Sequence, residues 1–180
     1  MFSTRPTIGA IQLGYEATRL GVYRSVEQTF RSIIPAPLAL QSMNTNTITA
    51  WQGWPRRRTP PNGGWNWLSW ARQFCNDIDR FEVAIWSKND LCGLALGSPS
   101  RARTNLNVHI VEGAPWLHPL RGWITPLVLE TAVSYGIAFG CTWLRFIEPN
   151  PRMRQQLNTL GFRYVLQTNR KLTPYSERQL

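Results

Sequence analysis

One acidic residue, Glu112, directly follows a predicted strand and precedes a loop rich in Pro and Trp. A carboxylate placed in this way can take a proton from a reacting group, which is the role of a general base. Glu112 could equally have a structural role, in which it caps backbone donors or pairs with Arg121. The sequence leaves both the catalytic and the structural role open. Of the two histidines, His109 alternates within the strand and is interpreted as a core residue. His118 lies in the loop and is predicted to contact a ligand.

The residues before the next predicted helix are suited to holding a phosphate. Thr125 and Pro126 are typical of a helix start, with Thr as the cap and Pro at the first position. A helix start carries unpaired N–H groups and a partial positive charge. Arg121 and Gly122 come just before it, so we expect phosphate contacts there. A plain surface turn is the alternative.

Five of the nine tryptophans fall within the twenty positions from 51 to 70, beside three consecutive arginines. Aromatic rings stack on bases, and arginine neutralises phosphates and adds cation–π contacts. This pattern predicts a substrate-binding surface for a nucleic-acid-linked molecule. Its predicted members are Trp51, Trp54, Arg56, Arg57 and Arg58.

The other tryptophans of this cluster, Trp65, Trp67 and Trp70, lie in a predicted short helix over 65–74. They favour a core or a homodimer interface, with the arginines then merely solvated. The sequence has no helix-turn-helix, zinc or RNA-recognition signature.

The bulk composition limits the class of protein. The 180 residues, 43% of them apolar, are enough for one core and are expected to form a single domain over 1–180. The formal charge of +10 favours anionic partners. Three cysteines without metal-like spacing indicate buried thiols rather than a disulfide framework. With no signal-length or membrane-spanning apolar run, the protein is expected to be cytoplasmic, with no membrane partner.

The N-terminal part is predicted to contain one short strand within 1–14 and a helix over 15–34, which Pro35 stops. Residues 35–64 combine Pro, Gly and polar residues. This stretch is predicted to be a long insertion or a flexible loop.

A regular alternation of elements follows. The predictions comprise strands over 80–86, 91–96, 106–111 and 143–147, with a hairpin turn at 87–90 and a mostly buried helix over 125–139. Asn150 and Pro151 then start a short amphipathic helix, and Gly161 suits its left-handed end before a last strand over 162–166.

This order of elements resembles the GCN5-related N-acetyltransferase (GNAT) superfamily over residues 80–166. The resemblance implies an α/β (α+β) fold, with a mixed, mostly antiparallel sheet flanked by helices. It implies a V-shaped splay between the fourth and fifth strands, here 106–111 and 143–147, that admits the pantetheine arm of acyl-CoA. The loop after the fourth strand would then hold the pyrophosphate.

In the family that loop usually reads Arg/Gln-x-x-Gly-x-Gly/Ala. Here Gly122 matches the first glycine, whereas Pro119 and Ile124 stand at the flanking positions. The cofactor contacts that the resemblance implies are Val111, His118, Arg121, Gly122, Trp123, Ile124 and Asn150.

Many members carry a tyrosine four residues before the Gly-Phe pair, where it protonates the departing thiolate; this chain has Leu157 there. The hydroxyls considered in its place are Ser134, Tyr135 and Tyr164. Glu148 ends the fifth strand near the expected acceptor side, with an exposed ion pair as its alternative role.

The resemblance, together with these residues, implies an acyl-CoA-dependent N-acyltransferase that acts on a primary amine without a metal. Acetyl-CoA is the simplest donor, and a longer acyl donor stays open. The charge favours an amine on an anionic carrier such as an aminoacyl-tRNA or a modified base of a nucleic acid. The alternative is a catalytically degenerate GNAT-fold module that binds tRNA, DNA or a protein partner.

Overall fold

The structure is a computed structural model that describes residues 7–55, 58–166 and 173–180. Its helices and strands follow one another along the chain. They are α1 (Ile8–Phe30), β1 (Ala39–Gln41), α2 (Thr45–Gln52), α3 (Trp67–Gln73), β2 (Phe81–Ser87), β3 (Asp90–Pro99), β4 (Asn105–Gly113), α4 (Ile124–Ala138), β5 (Trp143–Ile147), α5 (Pro151–Thr159), β6 (Arg163–Val165) and β7 (Tyr175–Gln179).

The seven strands form one sheet in the order β1-β2-β3-β4-β5-β7-β6. Every pair of neighbours is antiparallel except β4 and β5, which run parallel. A parallel pair needs a crossover connection, and α4 supplies it. The predicted class, a mixed and mostly antiparallel sheet flanked by helices, is confirmed.

Two apolar layers cover the two faces of the sheet. On one face α1 and α4 pack through side chains such as Val26 and Leu127, in line with the prediction that α4 is largely buried. On the other face α2 packs through Ile48, and α3 packs through Trp67 and its C-cap residue Phe74; Trp67 is fully buried. Trp67 therefore fills the core, which is one of the two roles expected for the helix tryptophans.

The predicted start of the first helix is wrong. The helix begins at Ile8, where the Thr7 hydroxyl caps it by accepting a hydrogen bond from the Ala10 N–H at 3.3 Å. No strand therefore forms over the described residues 7–14. The buried apolar residues of α1, among them Tyr23 and Val26, lie in its second half. The first half has a less regular spacing of apolar residues, so the sequence did not predict it as helix.

Residues 35–64 are more ordered than predicted, since they contain β1 and α2. Leu40 of β1 pairs with Ile85 of β2, and Asn44 and Thr47 form a reciprocal capping box at the start of α2. A three-residue strand is defined by its partner rather than by its own pattern, which is why the sequence predicted a long insertion or a flexible loop without this strand.

The C-terminal helix signals are confirmed. The Asn150 side chain caps α5 by accepting the Met153 N–H at 2.8 Å, Pro151 is the first residue, and Gly161 has a φ of 81°. By contrast, α4 begins one residue before the predicted Thr125 cap, and Trp123 stands at its N-cap without a side-chain hydrogen bond. The strand β7, which the sequence did not indicate, lies between β5 and β6.

Candidate functional site

The parallel strands β4 and β5 separate part of the way along their length. They pair from Asn105 opposite Trp143 to Val108 opposite Phe146, and β4 then continues to Gly113 without β5 beside it. The predicted splay between the fourth and fifth strands is therefore present.

A β-bulge at His109 explains where the strands part. Gly97 of β3 pairs with Val108 and Leu96 with Ile110, so His109 is the extra residue. A bulge bends its strand and increases the local twist. Burial lowers the pKa of the His109 imidazole, whose Nε2 lies 3.2 Å from the Ser98 hydroxyl. The half-buried ring packs against Phe74, with 5.4 Å between the ring centres.

The opening between the two strands is narrow. A cavity of about 40 Å³ lies there, and its walls include Val111 of β4, Glu148 after β5, and Pro61 and Trp65 from the segment before α3. Glu148 is exposed and has a φ of 45°. The tryptophan limits access to the gap from this side of the sheet.

A much larger cavity, of about 510 Å³, lies at the end of β4, and we call it the main cavity. Its walls come from β4, the loop after it, and the first turns of α4 and α5. Three arginines, Arg58, Arg121 and Arg152, line it, and the only carboxylate among its described lining residues is Glu112. The main cavity is therefore suited to an anionic ligand.

Two helix starts contribute to the main cavity. The first bond of α4 runs from the Leu127 N–H to the Trp123 carbonyl, so the N–H groups of Ile124 and Thr125 have no bond within the helix. Gly122 shapes the turn before them with a φ of 90°. Asn150, at the start of α5, also lines the main cavity, as predicted, and donates from Nδ2 to the Pro61 carbonyl at 3.3 Å.

His118 lies in the same wall and is only 7% exposed. Its Nδ1 atom has no hydrogen-bond partner among the residues that the structure describes. Burial, followed by the charge of Arg121, lowers the pKa of the ring. A buried polar atom without a partner is uncommon in proteins, and this one belongs to a residue predicted to contact the ligand.

Glu112 is buried, with its side chain 3% exposed. One carboxylate oxygen accepts the Gly64 N–H at 2.6 Å and lies 3.3 Å from Arg58, while the other accepts the Trp67 indole N–H at 2.7 Å. Two structural roles were expected for Glu112, capping of a backbone donor and pairing with Arg121. The structure shows the capping, in which the Gly64 N–H is the donor. The ion-pair partner of Glu112 is Arg58 and not Arg121.

A second cavity, of about 270 Å³, lies beside the first, and we call it the tryptophan cavity. Trp51, Trp54 and Trp65 line it. It shares Arg58, Glu112 and Pro115 with the main cavity, so these three side chains stand between the two spaces.

The predicted substrate-binding residues do not form one exposed surface. Trp51 and Arg58 line the tryptophan cavity. Trp54 is buried and packs edge-on against Trp116 at 5.7 Å between ring centres. Most of its surface is therefore covered by the core, and the part that remains lines the tryptophan cavity. Arg56 and Arg57 lie outside the described residues.

Three further predicted residues do not line either cavity. Ser134 lies half-buried in α4, and Tyr164 lies in β6 with the Arg154 guanidinium 4.6 Å from its ring centre. Trp123 packs edge-on against Phe30 at 6.1 Å. By contrast, Val111, His118, Arg121, Gly122, Ile124 and Asn150 all line the main cavity.

Sequence reasoning missed the segment from 58 to 64 as a wall of the main cavity. Gly63 and Gly64 have φ values of 112° and 76°, and a Cβ on Gly63 would lie 2.8 Å from the Glu112 carboxylate. The adjacent glycines were the available signal, because left-handed backbone and close approach both favour glycine.

Among the described residues, no three His, Cys, Asp or Glu side chains are grouped so that they could hold a metal ion. None of the helices described in residues 7–55, 58–166 and 173–180 is long and apolar enough to cross a bilayer.

Comparison with known proteins adds structural likeness only. No family model matches the sequence, and no curated protein matches it with significance. Among solved structures, the GNAT domain of S. lividans PAT superposes with a TM-score of 0.61 at 8% identity, over 79% of this chain and 90% of that one.

Two further solved structures are similar. The yncA protein from Salmonella typhimurium, solved with its cofactor acetyl-CoA, gives a TM-score of 0.56 at 13% identity, over 79% and 93% of the two chains. The spermidine/spermine N-acetyltransferase SpeG from Vibrio cholerae gives 0.53 at 10% identity, over 80% and 92%. The resemblance inferred from residues 80–166 is thereby confirmed in three dimensions, and the chain has the fold of the GNAT acetyltransferases.

Proposed function

We propose that the protein is an N-acyltransferase that moves an acetyl group from acetyl-CoA to a primary amine. The observation that carries the proposal is the main cavity, which lies at the diverging end of β4 and contains three arginines and two helix starts. This is the chemistry that a diphosphate-bearing donor requires.

Different parts of the main cavity would contact different parts of acetyl-CoA. Arg121, Gly122 and the free N–H groups at the start of α4 would hold the pyrophosphate. His118, neutral because of its burial, offers the unpartnered Nδ1 as a further polar contact. The pantetheine arm would run along Val111 towards the gap between β4 and β5.

The reaction needs a proton acceptor, because an amine is an ammonium ion near neutral pH. In the proposed reaction the ammonium gives one proton to Glu112, and the free amine nitrogen attacks the thioester carbonyl carbon. The C–S bond breaks, and the departing thiolate takes a second proton from the same nitrogen. Leu157 is fully buried at the position where many GNAT members have a tyrosine, so no hydroxyl at that position assists this last transfer.

The ion pair between Arg58 and Glu112 must break before Glu112 can accept the proton, because the guanidinium lies 3.3 Å from the carboxylate. The side chain of Arg58 is 34% exposed, against 3% for Glu112. The arginine can therefore swing towards solvent while the carboxylate stays in place.

Calorimetric titration with acetyl-CoA tests the proposal, together with mass spectrometry of the purified protein for CoA thioesters. Saturable micromolar binding and release of free thiol in the presence of a primary amine are expected. No heat at high micromolar acetyl-CoA would overturn it.

For the acceptor, the net charge of +10 supports an amine carried on an anionic molecule such as an aminoacyl-tRNA or a modified base. A different role is favoured by one observation: both oxygens of Glu112 already accept hydrogen bonds. A degenerate module that binds nucleic acid would show tight, salt-sensitive binding to RNA or DNA and no affinity for acetyl-CoA.

A further inference from the structure

The tryptophan cavity has a composition unlike that of the main cavity. Trp51, Trp54 and Trp65 are three of its ten described lining residues, Pro55 and Pro115 add apolar surface, and Arg58 and Glu112 supply the charged groups. Tryptophan is the side chain that best attracts cations through its ring face, and it also stacks with other aromatic rings. We propose that this cavity is the acceptor site and that it selects amines carrying a flat aromatic ring close to the nitrogen. The inference rests on the proposed acetyl transfer.

The position of the cavity supports this assignment. The two cavities share Arg58, Glu112 and Pro115 as a common wall. A ring held among the tryptophans would therefore place a short amine-bearing arm against Glu112. From there the nitrogen faces the space assigned to the thioester.

The charge at the shared wall also fits an ammonium ion. Glu112 is held by Gly64 and Trp67, which stay as its partners, whereas the guanidinium of Arg58 belongs to a side chain that is half-buried at the cavity wall. An incoming ammonium replaces that guanidinium without changing the charge balance. A buried carboxylate is thus never left without a cation, which would be costly.

The ring then determines the selectivity. Contact between aromatic rings adds to the effect of buried apolar area alone. We therefore expect 2-phenylethylamine and tryptamine to be favoured over 2-cyclohexylethylamine and butylamine by roughly 2- to 10-fold in kcat/KM.

The test combines turnover with binding. Acetyl transfer to the four amines is measured by thiol release, and binding of the same amines without acetyl-CoA is measured by ligand-observed saturation transfer. Both are repeated for Trp51→Leu and for the control Trp143→Leu. Trp143 is equally half-buried but lies in β5, outside both cavities.

The expected result is that the preference for ring-bearing amines disappears in Trp51→Leu and remains in Trp143→Leu. Equal kcat/KM for all four amines, with acetyl-CoA turnover intact, would overturn the ring selectivity and leave the transferase function standing. If acetyl-CoA does not bind, the proposed function fails, and only the saturation-transfer measurement then tests whether the tryptophan cavity selects aromatic rings. Equal binding of the four amines in that measurement would overturn the inference too.

Discussion

The guanidinium of Arg58 lies 3.3 Å from the carboxylate of Glu112, although 54 positions separate them in the chain. Arg58 also donates to the Gly113 carbonyl at 2.5 Å. The segment before α3 is thereby attached to the end of β4, and the pair stands between the two cavities.

Replacing Arg58 by alanine should lower the free energy of unfolding by about 2–4 kcal/mol, because the buried Glu112 loses its cation but keeps two other donors. The same change should lower the KM of an amine acceptor, since no guanidinium competes for the carboxylate. Urea denaturation and steady-state kinetics measure the two effects. Arg72→Ala, at an exposed position in α3, is the control, and a KM that rises in Arg58→Ala would contradict the competition.

Two glycines in the left-handed region offer a matched comparison. Gly122 has a φ of 90° at the main cavity, and Gly140 has a φ of 72° after α4. A Cβ on either would meet no atom of the described part of the chain within 4 Å. Alanine at each position should cost about 1–2 kcal/mol of stability through backbone strain alone. Only Gly122→Ala should also weaken acetyl-CoA binding in calorimetry, because the added methyl group crowds the phosphate approach. Equal acetyl-CoA affinity in the two variants would place the donor elsewhere.

The bulge in β4 depends on Gly97. A Cβ there would lie 2.2 Å from the Asn107 carbonyl oxygen and 3.0 Å from the Val108 Cα, and backbone cannot move aside cheaply. We expect Gly97→Ala to lower stability by about 2–3 kcal/mol in thermal or urea unfolding. In Gly113→Ala the nearest atom to the new Cβ is 3.4 Å away, in the Ile124 side chain. That variant should lose less, and equal losses would show that the bulge is not responsible.

The half-buried histidine of the bulge, His109, makes stability depend on pH. Because burial lowers the pKa of His109 in the folded protein, the unfolded chain binds a proton first as the pH falls through about 6.5. The free energy of unfolding should therefore decrease between pH 7.5 and 5.5. His109→Gln should flatten this dependence in urea titrations at each pH, and an unchanged slope would exclude His109 as the cause.

How far the sequence predicts this fold depends on how local each signal is. The start and end of α5 follow from Asn150, Pro151 and Gly161, which act within a few residues. The strands β1 and β7 escaped prediction, because each is short and obtains its hydrogen bonds from distant partners. The capping box of α2 was a local signal, but the surrounding prolines and glycines suggested a loop.

In the candidate site, too, local features were predicted and features that depend on distant partners were not. The loop after β4 and the start of α4 were identified because their residues are contiguous. The partners of Glu112 could not be predicted, since Arg58, Gly64 and Trp67 belong to a segment that only the folded chain brings to β4. The degree of exposure of Trp54 likewise depends on Trp116, far along the sequence.

The place of β7 in the sheet bears on the order of folding during synthesis. Residues 175–179 lie between β5 and β6, and β6 pairs with no other described strand. On the ribosome, β6 therefore has to wait for a stretch translated after it before it can join the sheet. Until then the outer edge of β5 is unpaired, and a released chain that lacked residues 175–179 would expose that edge to other chains.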